Sequence, residues 1–479
     1  MSLEKKAVRG VIWSFVDKWG GKLSSSLIFL LLARLLGPEA FGLTALASLY
    51  MAFLSVFIGQ GLTQALVQRE NLEPEHLDTA FWMNFSVAVI LTTISIFAAD
   101  TIASIFQEPQ LTPIIQFLSL NFLLEGLRGV QFSILSRNLA FKELAMRSLL
   151  ATLTGGIVGL SMAFLGFGVW SLVAQQLSNH FVNVLVLWQV SDWRPSFHFS
   201  KRHFLELLPF SLNVLGFNIL KFFNQRSDDF LIGMFLGPVQ LGYYTVAYRL
   251  LRILVDILTN VTSSVAMPTF SRLQKDRKRV LKAFYRVTQV TSFFSFPTFV
   301  GVGVLAPNLV PVLFGEKWIS SIPVMQALIL VGLLQSVSYF NGVIMVATGK
   351  ADWRLWISCL NVLLNILGFL IAVKWGIVAV ALSFAATNYL TFPVSIWAIR
   401  QLIALNFKDY IYQFIPFILG AIIMGSVIYG LDNFILGSAS EILTIIVCPC
   451  FGIAVYLLSI LLIDSDVFFQ IYKLVKLVR

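Results

Sequence analysis

Runs of about 20 apolar residues, broken by charge, proline or glycine, follow one another along nearly the whole chain. Each run is long enough to cross the roughly 30 Å hydrocarbon core of a bilayer as a helix. With no water in that core, a segment must satisfy its own backbone, which a helix does internally. Fourteen candidate spans result: 11–36, 40–67, 79–105, 112–136, 144–165, 168–190, 207–236, 239–267, 284–306, 319–347, 354–373, 376–399, 410–431 and 441–463. Some exceed about 25 residues, so tilt or kinks are expected. Composition agrees. Hydrophobic residues make up 58% of the 479 and charged ones 12%, against about 25% charged in an average soluble domain. The expected fold class is an all-α polytopic membrane protein.

The placement of Lys and Arg gives an orientation, because cytoplasmic loops collect them. With the N-terminus inside, Arg34, Lys317 and Lys374 face outward, and seven cations lie within helices. The other 24 of the 34 fall inside. This bias accounts for most of the +10 net charge without a nucleic-acid partner, and it puts both termini in the cytoplasm. The start is not expected to be a cleaved signal peptide, because Asp17, Lys18 and Lys22 interrupt its apolar run. The basic stretch Ser271 to Arg286 reads as an inner loop or a collector of anionic lipid headgroups. Glu70 to Asp78 reads as a solvated acidic loop, with Pro74 opposing a simple helix. Cys448-Pro449-Cys450 lacks metal or redox spacing, and no metal site or Walker motif is found.

The octapeptide Leu35-Leu36-Gly37-Pro38-Glu39-Ala40-Phe41-Gly42 returns as Phe235-Leu236-Gly237-Pro238-Val239-Gln240-Leu241-Gly242. The chain therefore reads as two related halves. Residues 1–198 and 199–400 would each form a six-helix bundle, and 401–479 would add two helices and a tail. Repeats with polar groups buried at their interface are a transporter design. The repeated turn is also a ruler. Lys22 lies roughly 21 Å below Leu36, and Lys221 roughly 22 Å below Leu236. Arg249 and Arg252 fall roughly 16–20 Å from the outer end of their helix, and Arg128 roughly 24 Å.

A charge at mid-bilayer costs about 2.5–3.5 kcal/mol on insertion scales. The seven helix cations Lys18, Lys22, Arg128, Lys221, Arg226, Arg249 and Arg252 are therefore candidates to bind an anion. Lys18 and Lys22 share a helix face, as do Arg249, Arg252 and Asp256. Lys221, Gln225 and Asp228 form another stripe. The competing reading is mutual neutralisation by Asp17, Glu125, Asp228, Asp229 and Asp256, with pairs such as Arg128–Glu125 and Arg252–Asp256. Five anions leave two cations in excess. Arg and Lys both suit phosphate. His180 is a hydrogen-bonding or proton-coupling residue. Asn361, Asn365 and Thr387, with Asp228 or Asp229, offer oxygen ligands to Na⁺ or serve as polar glue. Gly155-Gly156-Ile157-Val158-Gly159 contains a helix-packing motif.

Ala33 to Gly42, Gly59 to Arg69 (GQGLTQALVQR), Thr79 to Asn84 (TAFWMN), Arg226 to Gly233 (RSDDFLIG), Leu241 to Tyr244 (LGYY) and Pro268 to Leu273 (PTFSRL) together resemble the polysaccharide transport family. These are Wzx-type flippases of the multidrug/oligosaccharidyl-lipid/polysaccharide exporter superfamily. The likeness spans roughly residues 1–400. It implies two bundles around a central cavity and alternating access. It also implies transfer of a polyprenyl-pyrophosphate-linked oligosaccharide from the cytoplasmic to the outer leaflet of the bacterial inner membrane. No cofactor is expected beyond a Na⁺ or H⁺ gradient. The expected partners are the lipid-linked glycan, membrane lipids, and the polysaccharide polymerase and export machinery, with the chain acting as a monomer. The chain is not expected to be an enzyme. The alternatives are a cation-coupled multidrug exporter, disfavoured by the buried cations, and a membrane glycan polymerase or ligase, disfavoured by the short outer loops. A further alternative is an assembly scaffold that transports nothing.

Overall fold

A computed structural model describes the backbone at residues 3–58, 60–69, 72–435 and 441–470. The side chains of Asp17, Lys18 and Lys221 lie outside the described set. Among the described residues the regular structure is helical. The chain groups into two compact units, Met1–Gly242 and Tyr243–Arg479.

The first unit contains α1 (Leu3–Leu35), α2 (Pro38–Ser55), α3 (Gln60–Gln68), α4 (Pro74–Ile105), α5 (Leu111–Arg137), α6 (Phe141–Phe164) and α7 (Val169–Val190). It ends within α8 (Lys201–Leu273), which turns at Gly237. The second unit continues α8 into α9 (Arg277–Val304), short α10 (Ala306–Phe314), α11 (Ile322–Ala347), α12 (Ala351–Ala372), α13 (Ile377–Ile403), short α14 (Phe407–Tyr412), α15 (Ile415–Gly430) and α16 (Glu441–Ile463). Among the described residues, nine helices are long and apolar enough to cross a bilayer. These nine leave out α1, α5 and α7, on which most of the first unit's polar candidates lie.

Several expected spans are subdivided. The span 40–67 is broken into α2 and α3, where Gly59-Gln60-Gly61 is a poor helix interior. The expectation for Glu70 to Asp78 is corrected. Pro74 opens α4, a position whose missing N–H would lack a helical partner anyway. Asp78 is buried and accepts from the Ser196 backbone N–H at 2.9 Å and from its hydroxyl. Within Ser271 to Arg286, Asp276 caps α9, accepting from the backbone N–H of Lys278 and Arg279 at 3.1 Å each.

Glycine sets the closest helix contacts. A methyl on Gly155 would lie 2.8 Å from the Gln175 carbonyl oxygen, and one on Gly159 would lie 2.9 Å from the Gln175 Cβ. The glycine motif therefore lets α6 and α7 approach, as small residues do in membranes. α1 packs on α6, with Gly20 against Leu149 and Gly156 against Ile28. The two copies of the octapeptide lie against each other within the first unit. A methyl on Gly42 would overlap the Pro238 carbonyl, and one on Gly242 would overlap that of Pro38. Their turn glycines differ. Gly37 has φ −91°, open to any residue, whereas Gly237 has φ +80°, which favours glycine.

In the second unit α15 and α16 pair, and both reach α9. Phe293, Phe417 and Tyr456 cluster there, and the Tyr456 hydroxyl donates to the Phe293 carbonyl at 2.9 Å. The buried cores of α15 and α16 are thus continuous with α9.

Candidate functional site

Charge inside the first unit gathers where α5, α6 and α7 meet. Glu125 and Arg128, three residues apart on α5, form an ion pair. His180 Nδ1 of α7 lies 3.9 Å from the same carboxylate. Arg128 sits over the Phe132 ring at 5.9 Å, and Arg147 of α6 lies over that ring at 5.2 Å. Two guanidinium groups thus share one aromatic ring, each contact contributing about 0.5–2 kcal/mol.

Arg147 is the cation that the sequence leaves out of the candidate set, because it counts with the cytoplasmic charges. Its signal was present, since it falls inside the span 144–165. The Gly20–Leu149 contact brings α1 alongside this stretch, so half-buried Lys22 stands about one helical turn from the level of Arg147. Farther along the first unit, Arg226 donates to Asp229 at 2.8 Å. Asp228 and Asp229 are 5% and 7% exposed. Asp17, Lys18 and Lys221 lie on α1 and α8, with side chains outside the described residues.

In the second unit Arg249, Arg252 and Asp256 are all exposed on α8. Arg252 lies 5.5 Å from the Tyr248 ring centre. Arg249, Arg252 and Asp256 fall within the apolar stretch Gln225–Thr259. Exposed charges at such depth belong against a polar space, because lipid contact is expensive.

A separate polar ladder joins α12 to α13. Asn361 donates to Thr391 at 3.0 Å, Asn365 donates to Asn361 at 2.6 Å, and the Thr387 hydroxyl donates to Asn365. These groups spend their hydrogen-bonding capacity on one another, as polar glue between membrane helices does. Replacing Asn365 with alanine is expected to cost about 1 kcal/mol, seen as a lower unfolding midpoint in detergent. An unchanged midpoint would show that the ladder adds nothing net.

Residues 31–323 match the polysaccharide biosynthesis protein family. The chain belongs to that family. It is 32% identical over 337 residues to the succinoglycan biosynthesis transport protein ExoT of Rhizobium meliloti (strain 1021), covering 70% of this chain and 68% of that one. It is 25% identical over 437 residues to the teichuronic acid biosynthesis protein TuaB of Bacillus subtilis (strain 168), covering 90% of each. The lipopolysaccharide biosynthesis protein WzxC of Escherichia coli (strain K12) is 26% identical over 429 residues, covering 88% of this chain and 86% of that one. In fold, the chain is similar to the lipid II flippase MurJ in an inward closed conformation. The TM-score is 0.78 at 17% identity, over 95% of this chain and 99% of that one. An inward-facing multidrug resistance MATE transporter gives 0.62 at 16% identity, over 82% and 98%. The family member is therefore an all-helical, multi-pass membrane protein with the fold shared by these transporters.

Proposed function

We propose that this chain is a flippase carrying a polyprenyl-pyrophosphate-linked oligosaccharide from the cytoplasmic to the outer leaflet of the bacterial inner membrane. The observation that carries the reading is the family membership, with a 32% identical relative named as a polysaccharide biosynthesis transport protein. The lipid II flippase fold over 95% of the chain is consistent with it. Translocation needs no covalent step, so the chain is a transporter rather than an enzyme.

Lys18, Lys22, Lys221, Arg249 and Arg252 engage the pyrophosphate in this reading, with Arg128 and Arg226 secondary. Arg147 joins Arg128 because both cover Phe132. A diphosphate would offset the desolvation of these cations, with Arg binding bidentately and Lys as a point charge. Asp228, Asp229, Asp256 and His180 orient the cations or couple a Na⁺ or H⁺ gradient. The two halves act as bundles that alternate access, and both termini lie in the cytoplasm.

The test is reconstitution. Purified chain in vesicles holding a polyprenyl-pyrophosphate oligosaccharide labelled on its sugar is expected to expose label to an external glycosidase faster than empty vesicles do. Equal rates would remove the flippase reading and leave a scaffold.

A further inference from the structure

Two histidines that the proposed transport cycle does not use meet in the first unit, where α8 begins beside α4. His76 is 1% exposed and His203 7% exposed. Their rings lie 4.1 Å apart, centre to centre. His203 Nε2 is 3.0 Å from a Glu73 carboxylate oxygen. Its other ring nitrogen, Nδ1, is buried without a hydrogen-bond partner. One ligand atom from each of Glu73, His76 and His203 falls within 4.8 Å of the other two.

We propose that Glu73, His76 and His203 bind a divalent transition-metal ion, with zinc the best fit. Two imidazoles and one carboxylate form a recognised zinc donor set that leaves a fourth position for water. Ligand atoms around tetrahedral zinc lie roughly 3.3 Å apart, given bonds of about 2.0–2.2 Å. Rotations of the exposed Glu73 side chain and small ring shifts close the present spacing to that value. Zinc takes the Nε2 lone pair of His203, and the ring proton resides on Nδ1, the atom with no other partner.

The surroundings suit a metal. Glu206 faces His76 Nε2 at 3.3 Å. Glu206 is placed to orient the His76 ring through Nε2, as outer carboxylates do at metal sites, and the His76 Nδ1, which accepts from the Glu73 backbone N–H at 3.2 Å, would exchange that hydrogen bond for the metal. The metal would tie the start of α8 to the start of α4. The intervening linker is already fastened there, by Trp82 Nε1 donating to the Ser196 carbonyl at 2.7 Å and the Ser200 N–H donating to Thr79 at 3.1 Å.

The experiment uses the full chain in detergent, stripped with a chelator, loaded with Zn²⁺ alone and desalted. Elemental analysis is expected to find roughly one zinc per chain, with the unfolding midpoint raised by several degrees. Glu73→Gln and His203→Phe are expected to retain less than about a tenth of that zinc, and His203→Cys to retain most of it, since thiolate also ligates zinc. Glu73 is the exposed N-cap residue of α4, and Gln keeps a side-chain oxygen there; elution as a single species on size exclusion verifies that the fold is intact. Wild-type chain that emerges without zinc overturns the proposal, as does Glu73→Gln that holds as much as wild type.

Discussion

Substituting Lys22, Lys221 and Arg252 together with glutamine is expected to lower lipid-linked glycan flipping by at least about 100-fold. Hydrogen bonds to charged groups contribute about 1.5–3 kcal/mol each, and a tenfold change corresponds to about 1.4 kcal/mol. Loss of three such contacts therefore exceeds the two decades claimed. Glutamine keeps polarity and part of the aliphatic stem, so insertion and the unfolding midpoint should stay close to wild type. The readout is the glycosidase-accessible label in vesicles, normalised to folded protein. Flipping at the wild-type rate would show that these cations only neutralise neighbouring carboxylates. A parallel Arg147→Gln variant tests the cation that stacks on Phe132 beside Arg128. It is expected to slow flipping by about tenfold, the loss of one such charged contact.

The second large effect is structural. Gly42→Ala and Gly242→Ala should each destabilise the chain by about 3 kcal/mol or more, the upper end of overpacking costs. In each case the added methyl overlaps a backbone carbonyl, Pro238 for Gly42 and Pro38 for Gly242, and backbone cannot rotate aside as a side chain can. The double variant should cost less than the two singles added together, because separating the turns for one methyl relieves the other. Thermal unfolding of the three variants in detergent measures this. Midpoints equal to wild type would mean that the turns lie farther apart than the structure places them. Gly37→Ala is the control, since φ −91° suits any residue and a methyl there meets nothing within 4 Å.

Much of this molecule is legible in its sequence, and the reasons are local. Apolar runs specify helices because lipid offers the backbone no other partner. The expected spans 168–190 and 441–463 reappear almost unchanged as α7 and α16. The glycine motif at 155–159 identified a close helix contact, because only small residues allow one. The Glu125–Arg128 pair followed from helical spacing alone.

The misreadings were tertiary in origin. In sequence Pro74 suggests a break, yet it starts α4, and whether proline ends or begins a helix depends on what precedes it. Asp78 reads as a solvated anion until the Ser196 linker arrives 118 residues later to donate to it. Arg147 stays outside the candidate set until the Phe132 ring that it shares with Arg128 is known. His76 and His203 are unremarkable apart, because no periodicity connects residues so distant in sequence.

The octapeptide marks the division most clearly. Sequence alone determined that the chain is a polytopic helical protein, that its Leu-Gly-Pro turn occurs twice, and that cations recur at matched distances from each copy. Those conclusions need only composition, periodicity and the rise of a helix, all properties of neighbouring residues. Only the tertiary structure decided that the two turns rest on each other through Gly42 and Gly242, that two arginines share Phe132, and that two histidines meet beside Glu73. Each of these depends on which helices pack side by side, and packing is chosen by shape complementarity across the fold rather than by any local pattern.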